Sequence, residues 1–596
     1  MSQQANGSAA GAAATLSTPV LVVGAGPAGL AFSLTLRRYG VEHLLVERHA
    51  GTAHTPRAHI VNQRTVEILR HLGISELFHA VATSQQMMSN NLWVTTLAGR
   101  EIARSQTWGS APDRLGEYLT SSPEPMANCP QTVLEPLLLD AAREAGADIR
   151  FNTEFVELSQ ADDGVTSTIR DRETGKVTAV RSRYVIGADG ARSKVLAQAG
   201  LGVEGASDLA RAANVWFRAD LSRYFAHRPG VLTWNVMPGP LPPLRLGTFI
   251  CHKPFTEFVF AFMYDPRQTP LDATSEQELR TRIDAAVGEH VDVEILGVAG
   301  WQVNAQVAPT YAQGRVLCMG DAVHRHPPTN GLGLNMSIAD AFNLGWKLAL
   351  VLDGIADPAL LDTYSAERQP VGAVGVQRAI TSLQEGAAID AALGLLPGQS
   401  EEDGWKELRV LFEPGVAGDE RRAALKAAIT LSHHQFNAHG IELGYRYQSR
   451  AISDDGIDPP GSGLDPVLHY QPTSRPGARV PHARLEHDGE ALSTLDLVDG
   501  LRFALITGCG GEPWAGAAAA ASAAIGVPVD VHVVGTYDGL LDPYGDWASV
   551  RAVQTTGCVL VRPDRHVAWR SFQLGSGAAE ELTTALHRAI GRNGSA

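Results

Sequence analysis

The sequence of 596 residues predicts an α/β protein of two or three domains, with an α+β layer set into a nucleotide-binding domain. Three observations carry this. The apolar run Val20-Leu21-Val22-Val23 leads into Gly24-Ala25-Gly26-Pro27-Ala28-Gly29, which matches G-x-G-x-x-G, and a helical pattern continues from Leu30 to Tyr39. That is the strand–turn–helix of a Rossmann-like fold. Residues 205–304 are rich in aromatics and alternate, as in Phe258-Val259-Phe260-Ala261-Phe262, which predicts an antiparallel sheet. After residue 490 a strand–helix pattern starts again and predicts a separate small domain.

Residues 1–17 hold Ala, Ser and Gly with no basic residue and no apolar core. They read as a disordered tail and not as a signal peptide. The run Val20–Leu36 is interrupted by Gly24, Gly26, Pro27 and Gly29, so a strand–turn–helix explains it better than a membrane span. His43–Val46 is the second strand and ends at Glu47, the acid expected at that distance to take ribose hydroxyls. Gly24 makes the turn, Gly26 admits a pyrophosphate and Gly29 lets the helix pack closely. The fingerprint alone does not separate FAD from NAD.

Arg57 and His59 follow on a loop whose spacing fits a solvated turn before the helix Val66–Leu72. Gln131 opens a helix, Thr132–Ala145. Short strands are expected at 149–151, 155–158, 166–170 and 177–180. A further strand from Tyr184 ends in Gly187-Ala188-Asp189-Gly190, by itself a tight turn. Most aromatics of 205–304 read as core, with a few on one face able to line a pocket.

Arg315–Met319 is a buried strand, followed by Gly320-Asp321 and a Pro/Gly loop to Asn335, then the helix Ser337–Leu352. Asp321 at the strand end can accept a ribose or ribityl hydroxyl. The N–H groups at Gly331, Gly333 and Leu334 can face an anion, because the first turn of a helix carries unpaired donors. Pro327 and Pro328 stiffen the approach. Helices run on to about Leu396 and again to Ser432, and Ile452–Pro466 reads as a linker. The last segment resembles a thioredoxin fold, but Cys509 has no CxxC partner, which argues against thiol–disulfide chemistry. The predicted boundaries are 18–204 with 305–396 for the discontinuous nucleotide-binding domain and 205–304 for the substrate layer. A helical segment and linker take 397–490, and the thioredoxin-like domain takes 491–592.

Net charge is −15 with no basic run, which argues against nucleic acid and anionic membrane as partners. The five cysteines are scattered, so neither a disulfide framework nor a metal site is expected, and the cytoplasm is the default compartment. No H-E-x-x-H, Walker loop or G-x-S-x-G occurs.

The order of the three glycine motifs resembles the single-component FAD-dependent aromatic hydroxylases, and the phenol 2-monooxygenase branch in particular. Pro56-Arg57-Ala58-His59 with Asn62-Gln63-Arg64-Thr65, Pro130-Gln131 with Leu134-Glu135, and Gly320–Gly333 carry the likeness. So do Gly440-Ile441-Glu442-Leu443, Tyr445-Arg446-Tyr447 and Arg475-Pro476-Gly477-Ala478. It covers nearly the whole chain, from about Pro19 to Arg588.

The resemblance implies a glutathione-reductase-type FAD domain with non-covalent FAD, and NADPH or NADH as co-substrate. Gly24, Gly26, Pro27, Ala28, Gly29, Glu47 and Arg48 would hold the ADP half. Arg57 and Gln131 would contact the flavin side, Gly320 and Asp321 the ribityl or pyrophosphate region, and Pro328 to Asn335 the isoalloxazine. Asp189 would serve both FAD and NAD(P)H. It further implies ortho-hydroxylation of a small phenol with dioxygen, through a flavin C4a-hydroperoxide, in a homodimer. Asp220 and His59 match family groups near the substrate and are the expected proton-handling pair, with Arg57 beside them. The segment Gly247–Phe255 departs from the branch's tryptophan-rich pattern, so a polycyclic tailoring substrate is an alternative. A flavin-binding protein without oxygenase activity is the alternative of another class.

Overall fold

The structure, a computed structural model, describes residues 15–238, 247–267, 270–457, 461–536 and 539–592. The expected tail lies outside these residues as far as residue 14. Thr15–Ser17 already belong to the first strand, Thr15–Val23, where Thr15 lies opposite Ala179. The tail expectation therefore ran three residues too far.

Val20–Val23 are buried, as a parallel strand covered on both faces must be. The strand pairs in parallel with Leu44–Val46 and with Val177–Gly187. The sheet runs Ala312–Gln313, Val316–Cys318, Val177–Gly187, Thr15–Val23, Leu44–Val46, Asp148–Arg150. An antiparallel flap, Thr153–Ala161 and Gly164–Asp171, joins its side. The strands expected separately at 177–180 and from Tyr184 are one strand. Arg181 and Ser182 stay extended because Thr166 and Val165 pair with them, and Arg183 carries the strand on, with Ser182 turned inward and both arginines outward.

The second sheet runs His324–Arg325, Glu294–Val307, Glu204–Arg218, Glu257–Met263, Gly247–Lys253, Gly230–Asn235, Asn90–Val94, Glu101–Gln106. It is antiparallel except between Gly230–Asn235 and Asn90–Val94. The layer thus reaches beyond 205–304. Asn90–Val94 is drawn in because Leu92 and Val94 complete the apolar face under the helix Glu276–Val287, while Trp93 stacks on Trp234 at 5.0 Å on the other face. Phe258, Phe260 and Phe262 face that same helix, so they are core and not pocket lining.

The C-terminal sheet runs Val529–Val534, Phe503–Gly508, Cys558–Val561, Val567–Ser571, with one parallel pair and two antiparallel. The hairpin Arg484–His487 with Glu490–Ser493 leans on it through Glu486 and Leu541, so this unit begins before residue 491. The helices Glu401–Val410 and Val416–Leu431 pack beside the long helix Asp362–Leu393 and act as a brace, while residues 458–460 of the expected linker Ile452–Pro466 lie outside the described residues.

Buried ions join the C-terminal unit to the rest. Glu367 accepts from Arg562 at 2.7 and 2.9 Å, from Lys347 at 2.7 Å and from Ser449 at 2.7 Å, with the side chains of Glu367, Lys347 and Arg562 fully enclosed. Glu67 accepts from Arg479 and from Arg64. Burial alone would raise both carboxyls, but the guanidinium and ammonium groups hold them below the ordinary range. Removing one partner of such a pair leaves a charge without compensation. Arg562→Ala is therefore expected to cost about 3–5 kcal/mol in chemical unfolding. A loss under about 1 kcal/mol, the exposed-pair value, would show that Glu367 does not depend on it.

Candidate active site

The three glycine motifs meet in space. Gly24 has φ +107°, and a Cβ there would lie 2.3 Å from the Ala188 carbonyl oxygen. Gly29 packs on Gly24 itself, where a Cβ would come to 1.9 Å of its oxygen. The Ala188 N–H donates to Val23 O at 2.8 Å and the Met319 N–H to Gly187 O at 2.9 Å. A Cβ on Gly320 would meet Ala28 at 3.1 Å, so the late loop seats against the first turn of the helix Pro27–Arg38. Gly26 differs from its neighbours, since a Cβ there would meet nothing within 4 Å. The tight glycines build the turn and the open one leaves room in front of a helix N-terminus, which fits a pyrophosphate.

Glu47 accepts from the Ala25 N–H at 2.8 Å and the His49 N–H at 2.9 Å, which sets its carboxylate at the edge of this space. Arg48 is exposed and leans on His49. Asp321 is open to solvent although closely surrounded by protein, the setting of a cleft floor, and burial pushes its carboxyl up. The positive charges of Arg57 and Arg325 lie near enough to oppose that rise. Arg57 is exposed and makes no hydrogen bond or ion pair among the described residues, which leaves its guanidinium for a ligand.

The helix Leu332–Leu352 packs on the Gly320–Asp321 turn, where a Cβ on Gly320 would meet Ser337 Oγ at 2.9 Å. Gly331 is left-handed at φ +64° and no side chain caps the helix, so its first N–H groups have no partner within it. Pro328 is exposed at the approach. Leu334 is buried, and the Asn335 side chain is fully used. Its Oδ1 accepts from the Asn62 N–H and Thr65 Oγ1, and its Nδ2 donates to the Ile60 and Gly331 oxygens. Asn335 thus knots the Arg57–Thr65 segment to the helix start, and only its backbone remains for a cofactor. Asp189 is likewise spent. It accepts from Ser193 Oγ and the Lys194 and Val195 N–H groups, and so caps the helix Lys194–Gln198.

Gln131 straps the other side. Its N–H donates to Ala58 O at 2.9 Å and its Nε2 to Glu135, while the Cys129 N–H donates to His59 O at 2.7 Å. This fixes the His59 backbone. Asn128 Nδ2 donates to the oxygens of Cys251 and His252, at 3.0 and 3.4 Å, which turns Asn128 Oδ1 toward His59 Nδ1 at 2.9 Å. Nδ1 of His59 is therefore the protonated nitrogen, and Nε2 carries the lone pair. Burial lowers the imidazole to about 4 against the opposing effect of Asn128, so it is neutral at pH 7.

Comparison with known proteins places this arrangement. Residues 17–379 match the family model described as an FAD binding domain, and 473–593 match that of the aromatic-ring hydroxylase C-terminal region. The 2,4-dichlorophenol 6-monooxygenase of Delftia acidovorans is 44% identical over 97% of this chain and 99% of its own. The chain belongs to the FAD-dependent aromatic-ring hydroxylases. The phenol 2-monooxygenase of a Pseudomonas strain is 40% identical over 93% of this chain and 90% of its own. The crystal structure of the flavin-dependent monooxygenase PieE with FAD and substrate is 50% identical, with TM-score 0.93 over 97% of this chain and 100% of that one. The open space at Gly26, the cleft-floor carboxylate of Asp321, the unpaired Arg57 and the uncapped helix all fit FAD.

Within this hydroxylase the expected pairing of Asp220 with His59 is not what the structure holds. Asp220 is exposed, accepts from the Ser222 N–H at 3.0 Å, and lies by Arg218, Arg280, Asp292 and Glu294 in an open hollow. The Ser222 hydrogen bonds hold its carboxyl below the ordinary range. It ends the strand Glu204–Arg218 as a turn cap. Asp220→Ala should leave hydroxylation within about twofold, because solvent-facing changes rarely exceed ~0.5 kcal/mol. A steady-state loss of about 100-fold would instead put Asp220 in the proton path.

The neighbour that His59 does have is His252, with ring centroids 5.6 Å apart. His252 is 4% exposed and neither ring nitrogen has a partner, and burial lowers it well below the usual imidazole value. It lies in the segment that departs from the branch pattern. Alternation along Gly247–Lys253 could have marked it, since Phe249 and Cys251 point into the core and His252 away from it. Asp340 was also missed. Its buried carboxylate accepts from the Gly320 N–H, His324 Nε2 and Arg368 Nε, and sets the Gly320–Asp321 turn.

Proposed function

We propose that this hydroxylase adds oxygen ortho to the hydroxyl of a phenolic substrate, with NAD(P)H and dioxygen as co-substrates. The observation that carries this is His59, a neutral imidazole with its Nδ1–H committed to Asn128 and Nε2 left as acceptor. A phenol has a pKa near 10 on the tyrosine scale, so only about one molecule in a thousand is ionised at pH 7. Phenolate is the more nucleophilic ring, and an acceptor aimed at the hydroxyl raises its share in the transition state. Bound FAD supplies the redox chemistry that takes electrons from NAD(P)H and activates dioxygen. The chain's own part is to hold the cofactor on the Gly24–Gly29 turn and the Leu332 helix start. Arg57 is set toward the negative charge of the bound group, and His59 Nε2 takes the phenol proton.

The names of the relatives at 44% and 40% identity support a phenol over a polycyclic substrate. A cytoplasmic homodimer is part of the same reading. The test is a panel of simple phenols scored for NAD(P)H oxidation against catechol formed. Coupled turnover with at least one monocyclic phenol is expected. Oxidation of NAD(P)H to peroxide with every one, and coupled turnover only with fused-ring phenols, would overturn it.

A further inference from the structure

The strand Gly247–Lys253 turns Phe249 and Cys251 into the apolar core beneath the helix Glu276–Val287 and the imidazole of His252 to the opposite face. There it is 4% exposed, and neither Nδ1 nor Nε2 meets a hydrogen-bond partner. A neutral imidazole carries one donor and one acceptor. Burying both unmet costs stability, and an apolar side chain of similar shape would not incur that cost.

The ring packed against it is that of His59, with centroids 5.6 Å apart and planes tilted by 45°. One side chain fixes the two together. Asn128 Nδ2 donates to the oxygens of Cys251 and His252, and Asn128 Oδ1 accepts from His59 Nδ1. Among the described residues no carboxylate bonds or pairs with either imidazole. A base that takes a proton becomes a cation, and in a sheltered site that cation needs the negative end of a dipole or a charge beside it. A carboxylate on the far nitrogen of a catalytic histidine has that task elsewhere. Here the far nitrogen has only the neutral Asn128. His252 is free to help, because it is bonded at neither nitrogen. A half-turn of its ring exchanges nitrogens for carbons within the same outline and breaks no hydrogen bond.

We propose that His252 is a positioning residue for the hydroxylation and acts through His59. When His59 Nε2 takes the phenol proton, the O–H bond breaks, an N–H bond forms, and the ring becomes an imidazolium beside a phenolate. His252 then turns its lone-pair edge toward that cation and lowers the cost of forming it. It carries no proton itself, since positive charge on His59 opposes its protonation. The inference rests on the proposed role of His59 as the base.

The test is single-turnover hydroxylation by the flavin-loaded protein, with the best-coupled phenol of the panel and with an ionised nitrophenol. His252→Phe keeps a flat ring against His59 and removes both nitrogens, and His252→Leu removes them in a smaller volume. Both should slow catechol formation from the neutral phenol about tenfold, within the worth of a positioned base. Flavin reduction and the ionised phenol should stay near the parent. Added to His59→Ala, His252→Phe should cost nothing more, because it acts through the imidazole already removed. The unfolding midpoint of both variants should stand at or above the parent's, since two unmet nitrogens are gone. Parent rates in both variants, equal losses with the two phenols, or a full further tenfold loss in the double variant would overturn the proposal. So would a lower unfolding midpoint in both, which would give the nitrogens a structural partner. A slow His59→Ala beside unimpaired His252 variants removes this inference alone. An unimpaired His59→Ala removes the proposed base and the inference with it.

Discussion

Gly26→Val will yield folded protein without flavin. Gly26 sits at φ −76°, ψ −176°, extended backbone that valine adopts freely, and a Cβ there meets no protein atom within 4 Å. The fold therefore has no reason to object. The same substitution at Gly24 or Gly29 would drive a carbon to 2.3 or 1.9 Å from a carbonyl oxygen and break the turn itself. At position 26 the added methyl groups enter only the space in front of the helix N-terminus. If they cost the cofactor even about 3 kcal/mol, the overpacking range, affinity falls roughly 150-fold. The purified variant should be colourless, with a circular dichroism spectrum like that of the parent. A yellow variant with one FAD per chain would mean that the pyrophosphate lies elsewhere.

Loss of the imidazole at position 59 is expected to separate proton removal from flavin reduction. His59→Ala should slow catechol formation from a neutral phenol by about 10²–10⁴-fold, the usual range for a positioned base. Flavin reduction by NAD(P)H should change little, so peroxide release rises. A nitrophenol, already ionised at neutral pH, should be hydroxylated far less impaired. The pH profile carries a second mark. Because burial lowers His59 to about 4, the parent loses acceptor capacity only as pH falls toward that value and not near 6.5. Single-turnover product formation with both phenols decides the matter, and equal small losses would leave His59 as a loop anchor.

The local elements were legible in the sequence because glycine motifs and apolar runs act over short distances. Val20–Val23, Glu47 and the loop from Gly320 to the helix start lie where their spacing puts them. What escaped depends on partners remote in the chain. Asn90–Val94 joins the second sheet through remote partners, since Gly230–Asn235 pairs with it and the helix Glu276–Val287 covers Leu92 and Val94. Nothing near Asn335 or Asp189 in the chain shows that Asn62 and Thr65 take the Asn335 side chain, leaving its backbone for a cofactor, or that Ser193 takes the Asp189 carboxylate. Asp220 has the right type for a base, but its orientation is fixed by a turn that presents it to water.

The buried ions between the two ends of the chain also order events in time. A ribosome delivers Glu67 and Glu367 long before Arg479 and Arg562, which supply part of their counter-charge. Until those arginines emerge, Glu67 has only Arg64 and Glu367 only Lys347 as a cation, so the nucleotide-binding half encloses each carboxylate with an incomplete set of partners and waits partly open. Nascent chains stalled before residue 562 are thus expected to be sensitive to protease and to capture no flavin, however complete their glycine loop. The last domain is then the part that closes the enzyme.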